Sequence, residues 1–279
     1  MIDHSSLLRT VQVTPGYWRA TIDNPPLNLL GPELLGAFTA LIDQLEADPQ
    51  AKVVVFDSAL PDYFMAHLDL LRQDYPTDVG PTGLPPWPDF TTRLRRAPFI
   101  SVGVLRGRAR GVGSEFLQAL DVRFASLEHA VIGQPEIGFG IIPGGGGMET
   151  LWRHIGRARA LEVITSGEDY DAETAERYGW INRAVPDAEL DQFVERYARR
   201  VASFDKEALT SVKEIINAQA SAPRPEELMS TYTRFNELLF RPTVQARNAE
   251  LATRGLQTPG DLEYSLGEHI GPADQPKQP

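Results

Sequence analysis

The spacing of apolar residues divides the chain in two. In the first part, short apolar runs alternate with turns. "YWRATID" predicts a strand closed by the turn "DNPPLN". "GPELLGAFTALIDQLEADP" carries leucines at helical spacing and predicts an amphipathic helix. The short apolar run "KVVVFDS" then predicts a buried strand, so strand, helix and strand form a crossover unit. "APFISVGVLRG" predicts a second buried strand, "GVGSEFLQAL" a helix, and "DVRFAS" and "AVIG" two short strands. Between them "PTDVGPTGLPPWP", rich in Pro and Gly, predicts a surface loop.

From Gly145 the period becomes mostly helical. "GGMETLWRHI", "GRARALEVITSG" and "AETAERYG" precede the long helix "AELDQFVERYARRVASF". Three more helices follow in "KEALTSVKEIINAQ", "PEELMSTYTRFNELLF" and "PTVQARNAELATRG". The end, "GPADQPKQP", has too few apolar residues to order itself and is expected to be disordered. No internal sequence repeat is visible. The pattern is that of an α/β core with a helical appendage.

Composition adds exclusions. Hydrophobic residues make up 42% of the 279 positions, enough for a full core. Acidic residues outnumber basic ones 38 to 27, a net charge of −11, which argues against nucleic-acid binding. The absence of cysteine excludes disulfides and thiol chemistry. His129, His154 and His269 have no metal-ligand spacing, so no metal site is expected. The start "MIDHSSLLRTVQV" lacks signal-peptide features, and no apolar run reaches the ~20 residues of a membrane helix. The reading is a soluble, cytoplasmic protein with no membrane partner.

Candidate chemistry centres on "RGRARGVGSEFLQALD". Glu115 opens an apolar helix after a glycine-rich turn, where unpaired backbone N–H groups and the helix dipole favour a negative oxygen. Two readings stand: a buried ion pair, or a carboxylate facing a ligand held by that turn. A second carboxylate, Glu136 in "VIGQPEIGFGIIPGGGG", lies in a similar apolar, glycine-rich setting. Two such carboxylates raise each other's pKa and divide acid and base roles. Neither glycine cluster fits a nucleotide-binding fingerprint. Ser114 has no supporting His and Asp and reads as packing or capping. Arg106, Arg108 and Arg110 alternate, either as solvated charge or as contacts to an anionic ligand end. Tyr170 and Trp180 read as core.

Three segments resemble the crotonase, or enoyl-CoA hydratase/isomerase, superfamily over roughly residues 10 to 260. "YFMAHLDLL" matches its Phe-x-Ala-Gly-x-Asp-Leu segment. "GRARGVGSEFLQALDVRFAS" matches its glycine-rich turn, Glu and following strand. "IGQPEIGFGIIPGGGG" matches its "GQPE…G…PG.GG". The resemblance implies an α/β spiral of strand-strand-helix repeats over residues 1–203, a helical trimerisation region over 204–265 and a disordered tail over 266–279. It also implies a homotrimer or a hexamer.

The resemblance further implies that the backbone N–H groups of Leu68 and Val112 are oxyanion donors and that Glu115 and Glu136 are the catalytic carboxylates. Gly144 falls where an N–H helps hold water, Ala66 where a carbonyl meets the CoA adenine, and Asp69 on the motif's Asp beside the substrate. The implied reaction is hydration of a 2-enoyl-CoA. CoA is carried as part of the substrate, and no other cofactor is expected.

Two departures keep alternatives open. His67 stands in place of the family's Gly, turned to solvent, packed on the Pro-rich loop, or contacting substrate as an extra acid–base group. The end "ATRGLQTPGDLEYSLGEHIG" replaces the family's usual basic close. The alternatives are double-bond isomerisation, C–C hydrolysis of a β-diketone without CoA, and a non-catalytic assembly subunit. The loop around Trp87 is either a wall of the acyl pocket or plain surface.

Overall fold

The computed structural model describes residues 7–220 and 222–270. The elements run β1 (Leu8–Thr14), β2 (Tyr17–Ile22), α1 (Pro32–Ala47), β3 (Val53–Ser58), β4 (Tyr63–Met65), α2 (Pro86–Arg96), β5 (Ile100–Leu105), β6 (Arg108–Arg110) and α3 (Val112–Ala119). Next come β7 (Val122–Ser126), β8 (Val131–Gly133), α4 (Glu136–Phe139), α5 (Gly147–Ile155), α6 (Arg157–Ser166), β9 (Asp169–Asp171), α7 (Ala172–Tyr178) and β10 (Arg183–Val185). The helices α8 (Asp187–Ala202), α9 (Lys206–Gln219), α10 (Pro225–Leu239), α11 (Pro242–Thr253), α12 (Asp261–Tyr264) and α13 (Leu266–His269) complete the described chain.

Two sheets organise these elements. One has the order β1-β2-β3-β5-β7-β10, the other β4-β6-β8-β9. Each turn of the chain therefore lays one strand in the large sheet and the next in the small one, then crosses over. The pairs β3/β4, β5/β6 and β7/β8 repeat this step, and within each sheet these successive strands are parallel. That is the strand-strand-helix spiral. Parallel strands covered on both faces need continuous apolar runs, and "VVVF" of β3 is wholly buried.

The helical appendage is anchored by charge as well as by apolar packing. Lys213 of α9 is buried and donates to the carbonyls of Leu94 and Phe99 and to Asp121 Oδ2, at 3.0, 2.8 and 2.7 Å. In the core, the Trp180 and Tyr170 rings pack at a tilt with centroids 5.9 Å apart, as their apolar setting predicts.

Two expectations need correction, and two short strands were not expected. The Pro-rich segment does not run on as a loop past Pro85: Pro86 starts α2, because Pro at the first position of a helix gives up an N–H that has no partner there anyway. The short strands β4 and β6 are too brief to show a period. The tail read as disordered from residue 266 begins later, since Leu266 is wholly buried against Phe139, Ile141 and Leu262 in α13; the remainder, 271–279, lies outside the described residues.

The start of α3 presses against β4. At Gly113 an added methyl would sit 2.2 Å from the Met65 carbonyl oxygen, which is backbone and cannot swing away. Gly113→Ala is expected to destabilise the fold by at least ~1–3 kcal/mol, the usual cost of overpacking, measured by urea unfolding.

Candidate active site

The turn between β6 and α3 and the loop between α4 and α5 face one another across a cavity of about 410 Å³. His67, Leu68, Asp69, Val112, Glu115, Glu136 and Gly144 all line it. Ala66 does not: it is buried in a separate apolar cluster with Leu27 and Tyr63, its N–H bonded to the Leu27 carbonyl at 3.1 Å. The walls are mostly apolar, as in small-molecule sites generally. Trp87 forms part of them, held edge-on to Phe38 and Phe116 with ring centroids 6.1 and 5.9 Å apart. Of the two readings of the Trp87 region, the pocket wall is the one observed.

Glu115 is 3% exposed. Its Oε1 accepts from the N–H groups of Gly145 and Gly147, at 2.8 and 3.0 Å. These glycines are obligatory: a methyl at Gly145 would lie 2.4 Å from Glu115 Oε2, and one at Gly147 would lie 3.0 Å from Oε1. The carboxyl is pushed up to about 7: burial raises it most, the two N–H bonds pull it down, Glu149 raises it and Arg95 lowers it. Glu136 rises well above the ordinary carboxylate value through burial and then through the charge of Glu115. Its Oε2 is buried without a hydrogen-bond partner among the described residues. Both carboxyls are raised chiefly by burial; Glu115 is drawn back by the N–H groups of Gly145 and Gly147, and Glu136 by its own backbone N–H alone.

Backbone donors flank the same space. Leu68 sits in a bridge with Leu30, where Leu30 N–H donates to the His67 carbonyl and Asp69 N–H donates to the Leu30 carbonyl. In a trans peptide the Leu68 N–H then points away from Leu30. Val112 is the first residue of α3, so its N–H has no carbonyl one turn back to donate to.

His67 is not turned to solvent, and its ring is held inside the protein while the residue lines the cavity. It is 4% exposed; Nδ1 lies 2.7 Å from the Leu68 carbonyl and Nε2 lies 3.0 Å from Glu263 Oε1. Burial lowers the imidazole pKa, but the Glu263 charge and the hydrogen bonds outweigh that and raise it overall. Glu263 is lowered overall: burial raises it, and His67, the Gln257 N–H and Arg110 overcome this. The pair is therefore imidazolium with carboxylate, and both ring nitrogens are committed.

Of Arg106, Arg108 and Arg110, none lines the cavity; Arg106 is partly exposed, while Arg108 and Arg110 are buried. Arg106 pairs with Asp187 and Asp191, Arg108 stacks 3.3 Å from the Tyr264 ring centroid, and the wholly buried Arg110 pairs with Asp169 at 2.6 Å. Ser114 is wholly buried and accepts from Gln118, consistent with packing. Among the described residues no group of three His, Asp or Glu side chains could hold a metal, and no helix is long and apolar enough to cross a membrane.

A family model described as enoyl-CoA hydratase/isomerase matches residues 16–251. The chain belongs to the enoyl-CoA hydratase/isomerase family. A short-chain-enoyl-CoA hydratase of Clostridium acetobutylicum is 30% identical over 200 residues, covering 71% of this chain and 76% of that one. A solved structure from Streptomyces avermitilis, described as that of a candidate enoyl-CoA hydratase, is 42% identical with a TM-score of 0.89 and covers 95% of this chain and 96% of its own. An enoyl-CoA hydratase structure from Mycobacterium avium subsp. paratuberculosis shares the fold, with a TM-score of 0.78 at 23% identity over 88% of this chain and 98% of its own. Within this family the chain's Glu115 and Glu136 occupy the glycine-rich turns that the motifs predicted. Local sequence gave no sign of Glu263 or of Arg95, whose burial lowers it to about 10 and whose charge opposes that of Glu115. Glu149 alone carried a signal, as an acid on the buried face of α5.

The raised carboxyl has a stability consequence. Glu115 has a folded pKa of about 7 against an ordinary 4.5, so between those values the folded state keeps a proton that the unfolded state has released. Stability therefore falls as pH rises through that window. Glu115→Gln removes the loss, and is expected to be more stable than the parent by up to about 3 kcal/mol at pH 8, with the difference vanishing near pH 4. Urea unfolding at the two pH values measures it.

Proposed function

We propose that the chain is an enoyl-CoA hydratase that adds water across the double bond of a 2-enoyl thioester. The observation that carries the reading is the pair of buried carboxyls with split proton affinity, facing one apolar cavity beside two outward backbone N–H groups. The thioester carbonyl accepts from Leu68 N–H and Val112 N–H, which draws electron density toward oxygen and opens Cβ to attack. Glu115, the more acidic of the two, is the carboxylate that orients the water and takes its proton as the oxygen bonds to Cβ. The π pair moves into an enolate on the thioester. Glu136, which holds its proton to higher pH, delivers that proton to Cα. The product is a 3-hydroxyacyl thioester.

CoA enters as part of the substrate, and no further cofactor is needed for this chemistry. Gly144, lining the cavity, and Asp69, beside Leu68, belong to the substrate-binding wall, and Trp87 bounds the acyl end. Ala66 keeps its proposed role only through its backbone carbonyl, since its side chain is sealed off. His67 has no free nitrogen to act as an additional acid or base, which removes one support for isomerisation or C–C hydrolysis. We further propose a cytoplasmic enzyme assembled as a trimer or a pair of trimers. Phe240 and Trp152 are 59% and 47% exposed in the segments expected at such a contact.

Turnover of crotonyl-CoA, followed by loss of ultraviolet absorbance, tests the reaction. Glu115→Gln and Glu136→Gln are each expected to lower kcat by ~10²–10⁴. The double variant is expected to lose far less than the product of the two, because the carboxyls act as a unit. If either single variant turned over at the parent rate, the two-carboxyl mechanism would be wrong.

Val112→Pro is a second test. Proline is compatible with the first position of a helix, so the fold should survive while the donor is lost, at a cost of ~10²–10³ in rate. Sedimentation at micromolar concentration should give a particle several times the 30.9 kDa chain; a stable monomer would overturn the assembly.

A further inference from the structure

The C-terminal segment from Gln257 to Tyr264 touches the chain next to both proposed oxyanion donors, at His67–Leu71 and at β6. On the Leu68 side, Gln257 Nε2 donates to Asp69 Oδ1 at 2.6 Å and its Oε1 accepts from Leu71 N–H at 3.2 Å. Glu263, wholly buried, pairs with His67 and accepts from Gln257 N–H at 2.6 Å. On the Val112 side, Arg110 donates to the carbonyls of Glu263 and Tyr264 at 2.7 and 3.1 Å, and Arg108 to that of Tyr264 at 2.7 Å.

The geometry defines the Leu68 N–H closely. The His67 carbonyl is held by Leu30 N–H at 3.0 Å, so the Leu68 N–H on the same rigid peptide plane points the other way. The next carbonyl, that of Leu68, is held by His67 Nδ1. Both planes flanking Leu68 are thus pinned, the second at two points: Asp69 N–H donates to the Leu30 carbonyl at 3.1 Å, and the Leu68 carbonyl is held by a ring whose other nitrogen is held by Glu263. An imidazolium can donate from both nitrogens; a neutral imidazole has one N–H and must give up one of the two bonds. Stability does not require such a pair, since an apolar pair of similar volume does as well in a protein interior.

We propose that His67, Glu263 and Gln257 form a latch through which the C-terminal segment positions the Leu68 N–H for the thioester oxygen, with His67 and Glu263 as positioning residues. This rests on the hydratase reading above. The charged and titratable groups around His67 are Glu263 on α12, Arg110 on β6 and Glu136 on α4. Glu136 lies across Gly111, where a methyl would sit 2.9 Å from Glu136 Oε1 and 4.0 Å from His67 Cβ. Asp69, on the same strand as His67, is turned to Gln257.

The test reads carbonyl polarisation directly. Crotonyl-CoA is bound to the full-length Glu115→Gln protein, in which turnover is slowed, and its thioester C=O stretch is measured by difference infrared spectroscopy. The stretch is expected to fall relative to free crotonyl-CoA, and adding Glu263→Gln is expected to reverse much of that fall. The double replacement His67→Leu with Glu263→Leu keeps the site filled and apolar, so it controls for folding, and it is expected to lose the shift equally. In proteins that retain Glu115, both sets of changes are expected to lower kcat by ~10-fold or more, a fraction of a full donor loss, with KM within about threefold. The alkaline limb of kcat is expected to move to lower pH in Glu263→Gln, because His67 loses the carboxylate that holds its proton. A full carbonyl shift with parental kcat in a folded Glu263→Gln or the Leu/Leu protein would overturn the latch alone. No shift in the Glu115→Gln protein, together with no turnover by the parent, would overturn the hydratase reading and the latch with it.

Discussion

One carboxylate oxygen of Glu115 accepts two backbone N–H groups at the buried wall of a mostly apolar cavity. A carboxyl buried without partners takes up a proton; one given several N–H bonds releases it. Two bonds leave Glu115 between these limits, at about 7, while Glu136, drawn back only by its own backbone N–H, is raised well above the ordinary carboxylate value by burial and by the charge of Glu115. The asymmetry on which a proton-transfer pair depends therefore comes from the backbone. It requires glycine at 145 and 147, since any side chain there would occupy the space of the carboxylate.

The spiral supplies that backbone. Because alternate strands go to different sheets, the ends of β4, β6 and β8 emerge side by side, and each leads into a loop or helix start that faces the cavity. The close approach at Gly113 seats α3 on β4, which brings the free N–H at the start of α3 near Leu68. A site assembled from strand ends and helix starts inherits the rigidity of the sheets, which suits electrostatic preorganisation better than mobile loops do.

The C-terminal segment shows charges used for construction. Arg110 is wholly buried yet fully occupied by Asp169 and two carbonyls, and Arg108 by a carbonyl and the Tyr264 ring. A chain of net charge −11 thus spends two of its cations fastening α12 to the strand that leads into the active-site turn. These contacts also account for a C-terminus that departs from the family's basic close: its residues are chosen for their fit to this chain's own β6 and His67.

The sequence by itself determined the period of each long element, the two glycine-rich turns and the carboxylates that follow them. These signals are local: a buried strand needs an apolar run, an amphipathic helix needs its leucine spacing, and a backbone donor site needs glycine within a few residues. Tertiary structure decided what depends on distant partners. His67 and Glu263 are 196 residues apart, and no spacing rule links them; Arg110 shows its role only once Asp169 and Glu263 are beside it. The short strands β4 and β6 exist because neighbouring strands complete their hydrogen bonds, which three residues of pattern cannot reveal. The order in which the two glutamates hold their protons was likewise hidden, because both sit in similar local sequence, and the N–H groups and charges that the fold aims at Glu115 come from distant residues.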